Sequence, residues 1–97
     1  MITHIVMIKF KEDCSKEQIL EIKKDIENLK DLIDVVKFME VGINFANEDR
    51  AMDLVLTAKF DTKDDLDIYA KDAIHQKVIE KIKKVAEYTK VVDYINE

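Results

Sequence analysis

Histidine is the side chain best suited to proton transfer near neutral pH, and this chain contains two of them. His4 opens an apolar run that extends from Thr3 to Ile8, and His75 lies in a helix-like stretch six residues after Tyr69. Tyrosine can donate a hydrogen bond to a carbonyl or enolate oxygen while histidine removes a proton from the neighbouring carbon. We therefore predict His75 and Tyr69 as catalytic residues and His4 as a polar contact to the substrate.

The residues before His75 predict that a new helix begins there. Asp72 can act as the N-cap, which places His75 at the third helical position. A helix N-terminus disfavours imidazolium, so His75 would stay neutral and available as a base. An alternative is that His75 is a partly buried residue satisfied by the backbone or by the capping carboxylate. Tyr69 would then be an ordinary core residue with its hydroxyl at the rim.

Motifs for phosphate, nucleotide and metal binding are missing from the sequence. Gly42 is the single glycine, which excludes the glycine-rich phosphate and dinucleotide loops. Cys14 is the single cysteine, so neither an internal disulfide nor a cysteine pair for zinc can form. The two histidines lack the close helical spacing of metal-binding motifs. We predict no metal and no cofactor.

Charge and hydropathy narrow the possible partners and the compartment. A net charge of -5 argues against binding of nucleic acid, which requires a basic surface. The sequence has no basic leader with a cleavage site, and no apolar run of about 18 residues, so we expect neither export nor insertion into a membrane. The unpaired cysteine fits a reducing compartment, and we expect a cytoplasmic protein.

The order of the predicted elements indicates a single α+β domain over residues 1–97. Ser15 and Gln18 form a capping box at the start of the first helix, and Thr62 or Asp61 can cap a second helical region made of two stretches. Four segments rich in β-branched and aromatic residues are predicted as strands: 3–10, 35–46, 51–60 and 89–95. This β-α-β-β-α-β order is the ferredoxin-like plan, with a four-stranded antiparallel sheet. Residues 47–50 would form a hairpin turn, and Gly42 would mark a bulge or a close backbone approach.

The predicted strands are apolar on both faces, which predicts a dimer. An antiparallel sheet with one wet face alternates apolar and polar residues. Consecutive apolar residues break that alternation in every predicted strand: Ile5 to Ile8, Val35 and Val36, Leu54 to Leu56, and Val91 and Val92. Two helices cover one face only, and a second copy would have to cover the other. We therefore predict a homodimer with sheet packed on sheet across a two-fold axis.

The chain resembles the stress-responsive dimeric α+β barrel (Dabb) family over nearly its whole length. Five segments carry the resemblance: His4-Ile5-Val6-Met7-Ile8-Lys9-Phe10, Val41-Gly42, Leu54-Val55-Leu56 through Phe60, Tyr69 to His75-Gln76, and Val91-Val92-Asp93-Tyr94. The resemblance implies ferredoxin-like subunits whose sheets form a barrel across a dimer. This agrees with the homodimer expected from the faces of the strands.

The family's motif also bears on the candidate site. The family usually has Tyr-x-x-His-Pro-x-His, in which Tyr69 and His75 match the first and last residues and Asp72-Ala73 replaces the His-Pro pair. One plant branch consists of polyketide cyclases that carry out an intramolecular aldol condensation without a cofactor. The resemblance implies that Tyr69 and His75 match their catalytic residues and that His4 lines the same cavity. Loss of the middle histidine removes one polar group from this neighbourhood.

Three functions are compatible with the sequence. The first is a cofactor-free enzyme that binds a small hydrophobic, carbonyl-containing ligand between sheet and helices and removes a proton next to the carbonyl. The second is a non-catalytic dimer that binds a small hydrophobic molecule or acts as a stress-related interaction protein. The third is a cofactor-independent monooxygenase, which the absence of tryptophan and the placement of the histidines disfavour.

Overall fold

The computed structural model describes residues 1–97 and contains four strands and three helices. In chain order the elements are β1 (Ile2–Phe10), α1 (Lys16–Leu32), β2 (Phe38–Ile43), β3 (Leu54–Phe60), α2 (Lys63–Lys71), α3 (Ala73–Val85) and β4 (Ala86–Ile95). The strands form one antiparallel sheet in the order β2-β3-β1-β4. The predicted ferredoxin-like fold is confirmed, and the second helical region consists of two separate helices.

Helix α1 begins where the capping box predicts. The Ser15 hydroxyl accepts a hydrogen bond from the Gln18 backbone N–H (3.1 Å), and the Gln18 side chain accepts one from the Ser15 N–H (2.8 Å). These two contacts satisfy backbone groups that a helix end leaves unpaired. Ile22, Ile26 and Leu29 then recur at helical spacing and are buried against the sheet, so one stripe of α1 closes the core. No helix combines the length and the apolar character needed to cross a lipid bilayer.

Only one face of the sheet is covered by helices. Alternate residues of β3, namely Leu54, Leu56, Ala58 and Phe60, are almost completely buried, whereas Val55 between them is 37% exposed. Residues opposite one another on antiparallel strands share a face, so the strand pairing extends this assignment across the sheet. We call the covered side the helix face and the uncovered side the open face.

The open face is partly apolar and is left exposed by the single chain. Its apolar side chains come from all four strands: Phe38, Ile5, Met7, Val55, Tyr88, Val92 and Tyr94. Lysines lie among them, and two lysine ammonium groups lie over aromatic rings, Lys59 above Phe38 and Lys90 above Tyr88. The open face therefore has an apolar centre and charged side chains, which is the character of a surface that packs against another protein.

The predicted boundaries of the central hairpin are wrong. Strand β2 begins at Phe38, so Val35 and Val36 precede it, and Val36 belongs to the core rather than to a sheet face. The connection to β3 spans residues 44–53 instead of a turn at 47–50. The side-chain oxygen of Asn44 accepts a hydrogen bond from the Ala46 N–H (3.1 Å), and this turn diverts the chain from the ladder.

Gly42 marks neither a bulge nor a close approach, so that prediction is also wrong. It pairs in regular register with Val55, and a Cβ built on it would lie 3.6 Å from Val55 Cγ1, an ordinary contact distance. Its backbone does not adopt a positive φ. The irregular step in the sheet lies between Lys9 and Phe10, where β1 pairs with β4.

Candidate active site

The three residues predicted from the sequence line one cavity of about 260 Å³ between the helix face and α3. His4 enters from β1, Tyr69 from the end of α2, and His75 from the start of α3. The remaining walls are mostly aliphatic: Val6, Ile8, Leu56, Ile79, Ile82 and Val91. Two polar residues complete the lining, Lys83 and Thr89. The cavity therefore joins a few polar groups to an apolar surface, as is typical of small-molecule sites.

His4 is oriented by Asp93, a residue that the sequence analysis did not select. The two residues are directly opposite each other on β1 and β4, and the Asp93 carboxylate is hydrogen-bonded to His4 Nδ1. An ionised carboxylate can only accept, so Nδ1 carries the proton and Nε2 is left without a partner in the chain. Asp93 thus sets both the tautomer and the orientation of the ring.

Tyr69 is a buried ring whose hydroxyl makes no hydrogen bond within the protein. Only 1% of its surface is exposed, and its ring packs against Phe60 with a centroid distance of 5.0 Å. The His4 ring meets it edge-on, with a centroid distance of 6.2 Å. Burial raises the pKa of Tyr69 well above its ordinary value of 10. The hydroxyl therefore stays protonated and can donate a hydrogen bond to a molecule in the cavity.

The His75 ring lies against the Tyr69 ring, with a centroid distance of 4.0 Å. Desolvation is the largest influence on His75 and lowers its pKa below the ordinary value of 6.5, although the nearby Ala70 carbonyl acts in the opposite direction. Since a carbonyl can only accept, the 3.4 Å contact from Nδ1 to the Ala70 oxygen places the ring proton on Nδ1. His75 is therefore neutral at pH 7, and its Nε2 is available to accept a proton.

The break between α2 and α3 explains how His75 reaches Tyr69. Asp72 has an extended backbone that ends α2, and its carboxylate caps α3 by accepting hydrogen bonds from the N–H groups of Ile74 (2.8 Å) and His75 (3.4 Å). The prediction of Asp72 as N-cap and His75 as the third helical residue is confirmed. Asp72 thus starts α3 although Ala73 stands where the family's motif has a proline.

Replacing Asp72 with alanine is expected to destabilise the protein by about 0.5–2 kcal/mol, because two N–H groups at the start of α3 lose their acceptor. Urea unfolding monitored by circular dichroism measures the change. Asp67→Ala is the matched control, because the Asp67 carboxylate forms an ion pair only with the exposed Lys71 on the same helix. Equal midpoints for the two variants would contradict the role assigned to the cap.

Lys83 and Thr89 were missed although part of the signal was present in the sequence. His75, Ile79 and Lys83 are separated by four residues each, so they lie along one side of α3. Thr89 has no comparable local signal, because it reaches the cavity through the pairing of β4 with Ile8 on β1. Helical spacing could have identified the lysine, whereas the threonine required the strand register.

The two other principal depressions of the surface contain no histidine. A larger depression of about 360 Å³ lies beside the β2–β3 connection, and its lining includes Phe45, Arg50 and Met52 but neither histidine nor tyrosine. No three His, Cys, Asp or Glu side chains lie close enough together to hold a metal ion. The cavity of about 260 Å³ is therefore the one that brings both histidines together with a tyrosine.

Comparison with known proteins assigns this architecture to a family. The family model for the stress responsive A/B barrel domain matches residues 2–96. The chain belongs to this family. A structure from Bacteroides fragilis, described as a dimeric protein of unknown function with a ferredoxin-like fold, is 31% identical with a TM-score of 0.81. The alignment covers 96% of this chain and 93% of that one.

Two plant structures are also similar to this A/B barrel chain. A hydroxynitrile lyase from Passiflora edulis is 25% identical with a TM-score of 0.88, and the alignment covers 99% of this chain and 94% of that one. The protein At3g17210 from Arabidopsis thaliana is 22% identical with a TM-score of 0.90, over 100% of this chain and 96% of that one, which shows a shared fold. A search of curated proteins gives no match.

Proposed function

We propose that this protein binds a small, mostly apolar carbonyl compound in the cavity and removes a proton from the carbon next to the carbonyl. The observation that carries the proposal is the convergence of a neutral His75 and an unpartnered Tyr69 hydroxyl on one apolar cavity. The general base and the oxyanion donor that such a reaction requires are thus side by side.

The two residues divide the chemistry between them. The Tyr69 hydroxyl donates a hydrogen bond to the carbonyl oxygen, and His75 Nε2 accepts the proton from the α-carbon. The electron pair of the broken C–H bond forms the enolate, whose oxygen charge Tyr69 stabilises. His75 can then return the proton, or the enolate carbon can attack a second carbonyl group. His4 Nε2 supplies a further polar contact.

The shape and lining of the cavity support a small ligand. A volume of about 260 Å³ lies just below the range of about 300–1,000 Å³ for pockets that take drug-sized ligands. Aliphatic walls around His75 exclude water, which strengthens the hydrogen bond from Tyr69 and keeps the imidazole neutral. Similarity to a protein named as a hydroxynitrile lyase supports acid–base chemistry at this site.

We also propose that the protein is a homodimer formed through the open face. The apolar centre of that face is exposed in the single chain, and a two-fold related copy would bury it. The Bacteroides fragilis relative is described as dimeric, which supports the same assembly here.

Exchange of phenylacetone α-protons for deuterium in D2O, followed by NMR, tests the proposed chemistry. The exchange rate is expected to rise with pH until His75 has lost its proton and then to stay constant. Because the pKa of His75 is lowered, this plateau should begin at a pH below 6.5. The His75 resonances measured in parallel report whether the ketone binds.

The outcome also separates the catalytic function from its alternative. A non-catalytic ligand-binding protein is favoured by one feature, the replacement of the family's His-Pro pair by Asp72-Ala73, which leaves one fewer polar group near the cavity. Binding of the ketone without accelerated exchange would support that alternative. Absence of ketone binding would contradict the proposal that the cavity accepts small apolar ketones.

A further inference from the structure

The lining of the cavity contains basic side chains but no acidic ones. The chain carries 21 acidic and 16 basic residues, yet no aspartate or glutamate lines the cavity. Lys83 is the only lining residue whose side chain, an ammonium group, is ordinarily charged at neutral pH. Asp93, an acidic residue on the helix face of β4, is hydrogen-bonded to His4.

Lys83 is free to bind a ligand because it takes part in no ion pair of the chain. Its neighbour Lys81 differs in this respect, since its ammonium group contacts Glu21 (2.9 Å) and Asp25 (2.7 Å) on α1. Lys83 is exposed at the mouth of the cavity, where Thr89 also contributes to the lining. An ammonium group and a hydroxyl at one opening are both donors that suit an anion.

We propose that the ligand is a small amphipathic carboxylate, with its carboxylate group at the mouth and its apolar body inside. Lys83 and Thr89 would bind the carboxylate, and the aliphatic walls would contact the rest of the molecule. The carbonyl group that reacts would then lie beside Tyr69 and His75. This inference rests on the proposed function and specifies the class of its substrate.

The expected effect of removing the Lys83 charge on ligand affinity follows from the exposure of this side chain. An exposed ion pair contributes little in water and is screened by salt. A charge-assisted hydrogen bond at the edge of an apolar cavity contributes more than an isolated surface pair. We expect loss of the Lys83 charge to weaken carboxylate binding by about threefold to tenfold.

Three probes of similar size and different charge test the inference: octanoate, octanol and octylammonium. Binding is measured by titration while the NMR signals of His75 and Tyr69 are followed. Octanoate is expected to bind more tightly than octanol, and octylammonium most weakly. Lys83→Met should weaken octanoate binding, remove its salt dependence and leave octanol binding unchanged. Lys84→Met is the matched control, since Lys84 adjoins Lys83 but does not line the cavity.

The possible results separate this inference from the proposed function. Equal binding of octanoate and octanol, or equal effects of Lys83→Met and Lys84→Met, would overturn the preference for a carboxylate while leaving an apolar cavity intact. Failure of all three probes to shift His75 and Tyr69 would overturn the inference and would also count against the cavity as a ligand site. Selective loss of octanoate binding in Lys83→Met alone would support the inference.

Discussion

Replacing His75 with glutamine is expected to slow the exchange of phenylacetone α-protons by about 10²–10⁴-fold, the usual contribution of a positioned general base. Glutamine is polar and of comparable size, but it has no basic nitrogen. The ring of His75 is half-buried and lies against Tyr69, so the base lies beside the hydroxyl that would bind the carbonyl oxygen. Initial rates at pH 7 for the two proteins measure the effect.

Two controls make this result specific to the base. Lys77→Gln changes an exposed residue of α3 that does not line the cavity, and its exchange rate should equal that of the parent protein. Circular dichroism and binding of phenylacetone should be preserved in His75→Gln, so that a slower rate reports chemistry rather than unfolding. Exchange at the parent rate in a folded, ligand-binding His75→Gln protein would contradict the assignment.

Replacing Val92 with aspartate is expected to convert a homodimer into a monomer. Val92 lies opposite Ile5 on the open face, and it is 52% exposed in the single chain, so the carboxylate would not strain the subunit. In a two-fold dimer each copy would bury one unpaired charge, at a cost of several kcal/mol per ion. A loss of about 3–5 kcal/mol weakens association by a factor of about 10²–10⁴.

Sedimentation at low micromolar concentration measures the assembly. The parent protein is expected to sediment as a dimer and Val92→Asp as a monomer. Ile68→Asp is the matched control, because Ile68 is an exposed aliphatic residue on α2, away from the sheet, and this variant should remain dimeric. A monomeric parent protein, or a Val92→Asp protein that stays dimeric, would show that the open face is not the interface.

Strand β4 links the proposed interface to the cavity. Val91 lines the cavity, Val92 belongs to the open face, and Asp93 returns to the helix face to hold His4. This alternation follows from the period of two in a β-strand. Interface and site are therefore built from neighbouring residues of one edge strand.

Local interactions explain what could be predicted from the sequence. The capping box at Ser15 and the N-cap at Asp72 act within three residues, so the side-chain type and spacing contain the information needed. The buried stripe of α1 likewise follows from helical periodicity. The position of His75 at the start of α3 was predictable for this reason, and so was the order of the elements.

Pairings between distant parts of the chain explain the rest. Asp93 orients His4 from 89 residues away, and Thr89 reaches the cavity because β4 pairs with β1. The end of β2 and the regular pairing of Gly42 also depend on register and on the turn at Asn44. Composition and periodicity identify which residues can form a strand, but they do not specify which residue faces which across the sheet. The candidate acid–base residues were therefore predictable by type, whereas the groups that orient them and complete the cavity emerged from the packed sheet and helices.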